Sequence, residues 1–122
     1  MRRGFTLIEL LVVMAVIATL LTIALPRYFT SVDRSKEATL KQSLSVMRDA
    51  IDKFYADNGR YPDALSDLAD KRYIRAVPVD PITESAETWV TVAPPEGVKG
   101  GVYDVKSGAP GMTRDGVEFA AL

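Results

Sequence analysis

The sequence contains no cysteine and no histidine among its 122 residues. Without cysteine the chain has no disulfide, no thiolate metal site and no thiol nucleophile. Without histidine it lacks the side chain most often used as a general base and as a zinc ligand, and the only one that ordinarily titrates near neutral pH. These absences argue against an enzyme, and we expect no catalytic residue.

An excess of charge of one sign is also lacking. The chain has 15 Lys and Arg residues against 16 Asp and Glu residues, a formal net charge of −1, and they are spread along the sequence. A protein that binds the phosphates of nucleic acids needs a basic patch or run. We therefore expect no nucleic-acid partner, and the length predicts one small domain of marginal stability.

The apolar residues, in contrast, are concentrated in residues 5–25, which read FTLIELLVVMAVIATLLTIAL. As a helix this segment is roughly 31 Å long at ~1.5 Å per residue, which matches a hydrocarbon core of about 30 Å. Arg2 and Arg3 precede it, and they would hold this end on the cytoplasmic side. The sequence therefore predicts one membrane-spanning helix, with the rest of the chain on the far side.

A secretory signal peptide and a plain membrane anchor are the simpler interpretations of this segment. A signal peptide is cut at small residues after its apolar region, whereas this run is longer and ends in Leu25-Pro26-Arg27. Neither interpretation explains Glu9. A carboxylate inside the membrane costs about 2.5–3.5 kcal/mol at mid-bilayer and is usually functional.

Residues 3–10 read RGFTLIEL and resemble the type III signal of type IV prepilins and type II secretion pseudopilins. The resemblance implies that residues 1–4 are a leader and that a membrane prepilin peptidase cuts after Gly4. Phe5 then becomes the N terminus and is N-methylated. A glycine suits the position before the scissile bond because it allows close approach of the peptidase to the backbone.

The same resemblance implies a role for Glu9 in filament assembly, where it pairs with the free amine of a neighbouring subunit. Thr6 and Pro26 are the further assembly residues that it implies. Two unpaired charges in an apolar slab attract strongly, although desolvation makes the net energy of a pair modest. We therefore expect the pair to set the stagger between subunits.

Pro26 lacks an amide hydrogen, so it is expected to kink or loosen the helix rather than necessarily to end it. The spacing of apolar residues in 33–58 predicts that this segment is the amphipathic half of the same helix. The helix is expected to stop at Asn58-Gly59. Most of the charged residues of this half, a set that includes Arg48, are interpreted as a solvated face, and some could form ion pairs with neighbouring subunits in a filament. The apolar positions recur at spacings of three or four: Leu40, Leu44, Met47, Ile51, and Phe54 or Tyr55.

Residues 63–70 predict a short helix capped by Asp63. Residues 88–93 and 101–106 are strand candidates that are expected to pair as an antiparallel hairpin. The predicted fold class is α+β, with a long N-terminal helix packed on a small antiparallel sheet. The predicted organisation is a leader at 1–4, a hydrophobic helix at 5–26, an amphipathic half at 27–58 and a globular region at 59–122.

The order NGRYP, short helix, YIRAVPVDP, two strands and glycine-rich tail resembles the major pseudopilin of type II secretion systems. The resemblance implies a structural subunit that polymerises with copies of itself, beside an inner-membrane assembly platform and minor pseudopilins. It places the chain in the bacterial inner membrane with a periplasmic globular region. The alternatives are a type IV pilus subunit for adhesion, motility or DNA uptake, and a membrane-anchored periplasmic binding module.

Major pseudopilins carry calcium in their C-terminal loop, and the matching stretch here is residues 104–118. Calcium takes six to eight oxygen ligands. Pro110 stands where the family places an aspartate, and Arg114 adds positive charge beside Asp115. The resemblance therefore implies at most a weak calcium site at Ser107 and Asp115, and the alternative is a turn-rich loop without any cofactor.

Overall fold

The computed structural model describes residues 3–122, so the part of the predicted leader formed by residues 1–2 lies outside the described residues. The predicted α+β class is confirmed, because one long helix is followed by a small antiparallel sheet. The chain forms two compact units, Met1–Arg34 and Ser35–Leu122. The elements are helix α1 (Leu7–Asn58), helix α2 (Leu65–Asp70), strand β1 (Val90–Val92), strand β2 (Asp104–Lys106) and a 3-10 turn (Phe119–Ala121).

Helix α1 runs through Pro26, as the sequence predicts for a proline that does not end the helix. The ring removes the amide hydrogen that would bond to the carbonyl one turn earlier. The hydroxyl of Thr30 donates to the Pro26 carbonyl at 3.0 Å. By length and composition, α1 contains a stretch that is apolar enough to cross a membrane.

The core of the second unit forms on the apolar stripe of α1. All of the predicted stripe is buried, and the structure decides its one ambiguity, since Phe54 is 6% exposed and Tyr55 is 42% exposed. The later segments contribute apolar side chains that close over this stripe. The resulting core cluster consists of Leu40, Leu44, Met47, Ala50, Ile51, Phe54, Leu68, Trp89, Val102, Val105, Ala109 and Phe119.

Helix α1 ends at Asn58, as predicted. Gly59 has φ = +68°, and its N–H donates to the carbonyl of Tyr55 at 2.8 Å. Positive φ at this position costs a glycine little. The side-chain amide of Asn58 donates to the Tyr73 hydroxyl, which donates in turn to the carboxylate of Asp57. This hydrogen bond to a carboxylate raises the pKa of Tyr73.

The predicted cap of the short helix is wrong. Helix α2 has Ala64 as its N-cap residue, and Asp63 forms an ion pair with Arg60 instead. The capping is supplied from inside the helix, because the Asp67 carboxylate accepts the N–H groups of Asp63 and Ala64 at 3.0 and 3.3 Å. A carboxylate in the first turn also interacts favourably with the helix dipole. Leu68, the residue after Asp67, is fully buried.

The predicted hairpin is confirmed, with shorter strands than the sequence indicates. Strands β1 and β2 are antiparallel, with Thr91 opposite Val105 in the centre of the register. Residues 99–102 do not extend the ladder, because they pair with a different segment. The carbonyl of Lys99 accepts the N–H of Tyr61, and the carbonyl of Pro62 accepts those of residues 101 and 102.

Arg48 is an exception to the mostly solvated charged face of α1. Its guanidinium donates to the Asp104 carboxylate and to the carbonyl of Val105, both at 2.9 Å, and to the carbonyl of Leu122 at 2.7 Å. The planar fork of donors allows one side chain to serve three acceptors. Arg48 therefore ties α1 to β2 and to the last part of the chain.

We expect Arg48→Met to lower the free energy of unfolding by about 1.5–3 kcal/mol, because hydrogen bonds to a charged group contribute about that much. Methionine retains much of the apolar stem. The matched control is Lys53→Met, which breaks only the exposed pair with Asp49 and should cost less than about 0.5 kcal/mol. Denaturant unfolding followed by Trp89 fluorescence measures both, and equal losses would contradict the role assigned to Arg48.

Candidate functional site

The first turn of α1 forms a capping box from Thr6 and Glu9. The hydroxyl of Thr6 accepts the N–H of Glu9 at 3.1 Å, and the Glu9 carboxylate accepts the N–H of Thr6 at 3.4 Å. Thr6 immediately precedes the first helical residue, Leu7, and so occupies the N-cap position. Two of the amide groups that a helix start leaves without partners are thereby satisfied.

This cap gives Glu9 a second role that the sequence prediction missed. The pattern Thr-x-x-Glu before an apolar run is the usual signal for a capping box, but the same residues also match a processing signal, and only that reading entered the prediction. The carboxylate also lies in the first turn, where the helix dipole favours negative charge. Local hydrogen bonding and the dipole therefore offset part of the cost of placing Glu9 in an apolar environment.

Gly4 and Phe5 directly precede the cap. A Cβ added at Gly4 would meet no atom within 4 Å, and Phe5 is 89% exposed. Both residues lie before the first helical residue, in backbone that has no helical hydrogen bonds. A peptidase needs an accessible backbone without helical hydrogen bonds at a scissile bond. The geometry at residues 4–5 is thus compatible with the predicted cleavage and methylation, which stay predictions.

The threonines of the apolar segment bond to the backbone of their own helix. Thr19 donates to the carbonyl of Ala15 at 2.8 Å, and Thr22 donates to the carbonyl of Thr19 at 2.6 Å. Hydrogen bonding within the segment is the condition for placing polar groups in lipid. These hydroxyls therefore do not oppose membrane insertion, and Glu9 is the one ionisable group of residues 5–25.

The apolar side chains of this segment are exposed along its whole described length. Every residue from 5 to 31 has an exposed side chain, so this described part of the first unit forms no core. A protein in water does not leave so many neighbouring apolar side chains uncovered. Lipid or other copies of the helix must cover them, which is the physical requirement that both a membrane anchor and a filament core satisfy.

The two residues proposed for calcium lie in different environments. Ser107 is 1% exposed, and its hydroxyl donates to the carboxylate of Asp80 at 2.6 Å, whereas Asp115 is exposed. Within residues 3–122, no group of three or more Asp, Glu, His or Cys side chains is arranged to hold a metal ion. The Ser107 hydroxyl is already bonded to Asp80 and to the N–H of Ala109, so the loop does not fit a calcium site built on it.

The chain is similar to known proteins along most of its length. Residues 1–25 match the family model of the prokaryotic N-terminal methylation motif. The chain is 31% identical over 120 residues to the fimbrial protein EcpC of Eikenella corrodens, a match that covers 94% of this chain and 78% of that protein.

Two further relatives match different lengths of this chain. The chain is 26% identical over 125 residues to the type II secretion system core protein G of Escherichia coli, with 89% of this chain and 82% of that protein covered. It is 38% identical over 66 residues to the type IV major pilin protein PilA of Myxococcus xanthus, but the match spans 54% of this chain and only 30% of that protein. No solved structure matches the chain significantly.

Proposed function

We propose that this chain, which belongs to the type IV pilin-like superfamily, is the structural subunit of a type II secretion pseudopilus. It is a pilin-like filament subunit and not an enzyme. The observation that carries the proposal is the exposed apolar helix that begins with a capped glutamate inside a methylation motif. Such a helix is inserted in a membrane before assembly and packs against its copies afterwards.

The choice of a pseudopilus over a surface pilus rests on three observations. The match to the secretion core protein G covers nearly the whole of both chains, and the motifs NGRYP and YIRAVPVDP lie in the order that the resemblance implies. Major type IV pilins commonly hold a C-terminal loop with a disulfide, which this chain cannot form. The type IV pilus subunit is the second candidate, and the EcpC and PilA matches favour it.

The proposed assembly begins with cleavage after Gly4 and N-methylation of Phe5. Cleavage removes two arginines with the leader and creates an ammonium group one residue before the capped Thr6. Lipid tails are as apolar as leucine, so moving the helix from the membrane into a filament core gains little from apolar burial itself. An ion pair between Glu9 of one subunit and the ammonium of the next would therefore decide the register.

The proposed location is the bacterial inner membrane, with the unit Ser35–Leu122 in the periplasm. The partners are copies of the same chain, prepilin peptidase, an inner-membrane assembly platform and minor pseudopilins. Filament growth inside the periplasm would push folded cargo outward, with energy from an ATPase that this chain does not supply.

Processing is tested by intact mass and N-terminal sequencing of the chain purified from membranes. We expect the mature chain to begin at N-methylated Phe5 in cells that contain prepilin peptidase, and at Met1 in cells that lack it. Cleavage after Ala24 or later would identify a signal peptide, and retention of Met1 in both strains would identify a plain anchor. Either result would overturn the proposed mechanism.

The choice between pseudopilus and pilus is tested by imaging and by secretion. In a strain that lacks the gene, restoring the chain at native level should restore export of a folded protein without producing long surface filaments. Long filaments labelled on the cell surface, together with normal export in the deletion strain, would establish the type IV pilus alternative instead.

A further inference from the structure

Asp80 carries a carboxylate that is fully buried in the second unit. It is 0% exposed. One oxygen accepts the N–H of Ile82 at 2.8 Å and, more weakly, that of Thr83 at 3.4 Å, and the other accepts the hydroxyl of Ser107 at 2.6 Å. A buried carboxylate is tolerated when donors surround it, and the described residues supply them here.

The turn that presents this carboxylate is closed by its own backbone. The N–H of Asp80 donates to the carbonyl of Ser85 at 3.0 Å, and the carbonyl of Asp80 accepts the N–H of Glu84 at 2.7 Å. Asp80 therefore uses its amide, its carbonyl and both carboxylate oxygens. The position of the carboxylate is therefore fixed from one side by residues of its own turn.

Ser107, in the C-terminal loop, forms the hydrogen bond that joins this loop to Asp80. Its hydroxyl donates to Asp80 and also accepts the N–H of Ala109 at 3.1 Å, so it bridges the carboxylate and the loop backbone. The next residue, Gly108, lies so close to the carbonyl of Thr88 that an added Cβ would be 2.1 Å from that oxygen. The start of the loop is therefore tightly packed against the backbone at Thr88.

The remainder of the C-terminal loop is positioned from this point. Thr113 pairs with Val117 through a backbone hydrogen bond, and the buried Phe119 reaches the core. The N–H of Arg114 donates to the carboxylate of Glu37 on α1 at 2.8 Å. The anchor at residue 107 is therefore the first of the contacts that hold residues 107–122 against the rest of the second unit.

We propose that Asp80 and Ser107 form a metal-independent clamp, which holds the C-terminal loop in the place where related subunits use calcium. The loop brings no disulfide and too few carboxylates for a calcium cage, and its one well-placed serine is already bonded to a buried carboxylate. The clamp uses a carboxylate from residue 80, far from the loop in sequence. Loop order, and filament assembly if the proposed function holds, are therefore independent of calcium.

Thermal unfolding of the full-length mature chain in detergent micelles tests the clamp, with Trp89 fluorescence as the signal. We expect Asp80→Ala to lower Tm by roughly 10 °C and Ser107→Ala by roughly 5 °C, because both leave buried groups without partners. The Tm of the double variant should fall by less than the sum of the two single decreases, since the two residues share one interaction. Asp80→Asn should fall between wild type and Asp80→Ala, because an amide can still accept from the turn and donate to the serine oxygen.

The matched control is Asp115→Ala, which removes the exposed carboxylate of the calcium prediction and should change Tm by less than about 1 °C, since exposed substitutions have small effects on stability. Wild-type Tm should be equal in EDTA and in millimolar CaCl2. The amides of residues 107–119 should also be equally protected from hydrogen exchange under both conditions, a measurement that needs no variant.

A rise of Tm with calcium that Asp115→Ala abolishes would overturn the clamp and establish a calcium site. An Asp80→Ala chain as stable as Asp115→Ala would overturn it as well. Filaments that form only with calcium would contradict the inference about assembly. If no filaments form under either condition while the melting results hold, the filament function fails and the clamp stands.

Discussion

Glu9→Ala is expected to abolish filament assembly while cleavage after Gly4 continues. Removing one partner of a buried ion pair costs about 3–5 kcal/mol, because the other charge stays unpaired. A loss of this size lowers the association constant of each contact between subunits by more than about a hundredfold. Counting filaments by electron microscopy measures assembly, and the mass of the mature chain measures cleavage.

The structure gives Glu9 two roles, and three variants separate them. Glu9→Gln keeps an oxygen for the N–H of Thr6, since glutamine serves in a capping box, but it removes the charge. Thr6→Val removes the hydroxyl that accepts the Glu9 N–H and keeps the charge. Thr6→Ser, which retains both, is the control.

If the charge pair decides assembly, Glu9→Gln should fail as completely as Glu9→Ala, and Thr6→Val should reduce assembly only about fivefold, the effect of a lost cap of ~1 kcal/mol. Normal filaments from Glu9→Gln would contradict the ion pair and leave the cap as the function of Glu9. Loss of cleavage in these variants would point to recognition by the peptidase instead.

Gly100→Ala is expected to destabilise the second unit strongly, because it combines backbone strain with a steric overlap. Gly100 has φ = +123°, and an added Cβ would lie 2.4 Å from the carbonyl oxygen of Tyr61. The neighbouring Lys99 carbonyl accepts the N–H of Tyr61, so neither backbone can retreat without breaking this contact. Backbone strain and overpacking, each about 1–3 kcal/mol, together give a loss of roughly 2–6 kcal/mol.

Gly97→Ala is the matched control for this prediction. Gly97 also has positive φ, +85°, but an added Cβ would meet nothing within 4 Å. Gly97→Ala should therefore lower the free energy of unfolding only by the backbone strain, about 1 kcal/mol. Denaturant unfolding followed by Trp89 fluorescence separates strain from steric overlap, and equal losses for Gly97→Ala and Gly100→Ala would contradict the close approach to Tyr61.

Features that depend on neighbouring residues were predictable from the sequence. The stripe on α1 follows from the 3.6-residue repeat, and the helix end at Asn58 follows from the conformational freedom of Gly59. The two strands follow from β-branched residues, although the structure makes them shorter than predicted. The capping box was also readable in principle, because Thr6 and Glu9 are three residues apart.

Contacts between distant residues were not predictable in the same way. Arg48 has charged neighbours in sequence, and nothing local shows that it bonds to Asp104 and to the carbonyl of Leu122. Asp80 resembles an ordinary turn aspartate until Ser107 is placed against it. Phe54 and Tyr55 both fit the stripe, and only packing decides which of them is buried.

The sequence by itself determined the membrane-length apolar helix, its processing motif and the α+β class, because each depends on composition or on a short spacing along the chain. The tertiary structure alone decided how the C-terminal loop is held and which charged side chains are structural. Hydrogen bonds such as Asp80–Ser107 join residues far apart in sequence, and their partners are set by how the backbone folds in space. A local pattern carries no information about that geometry, so the sequence alone did not indicate that Ser107 bonds to Asp80.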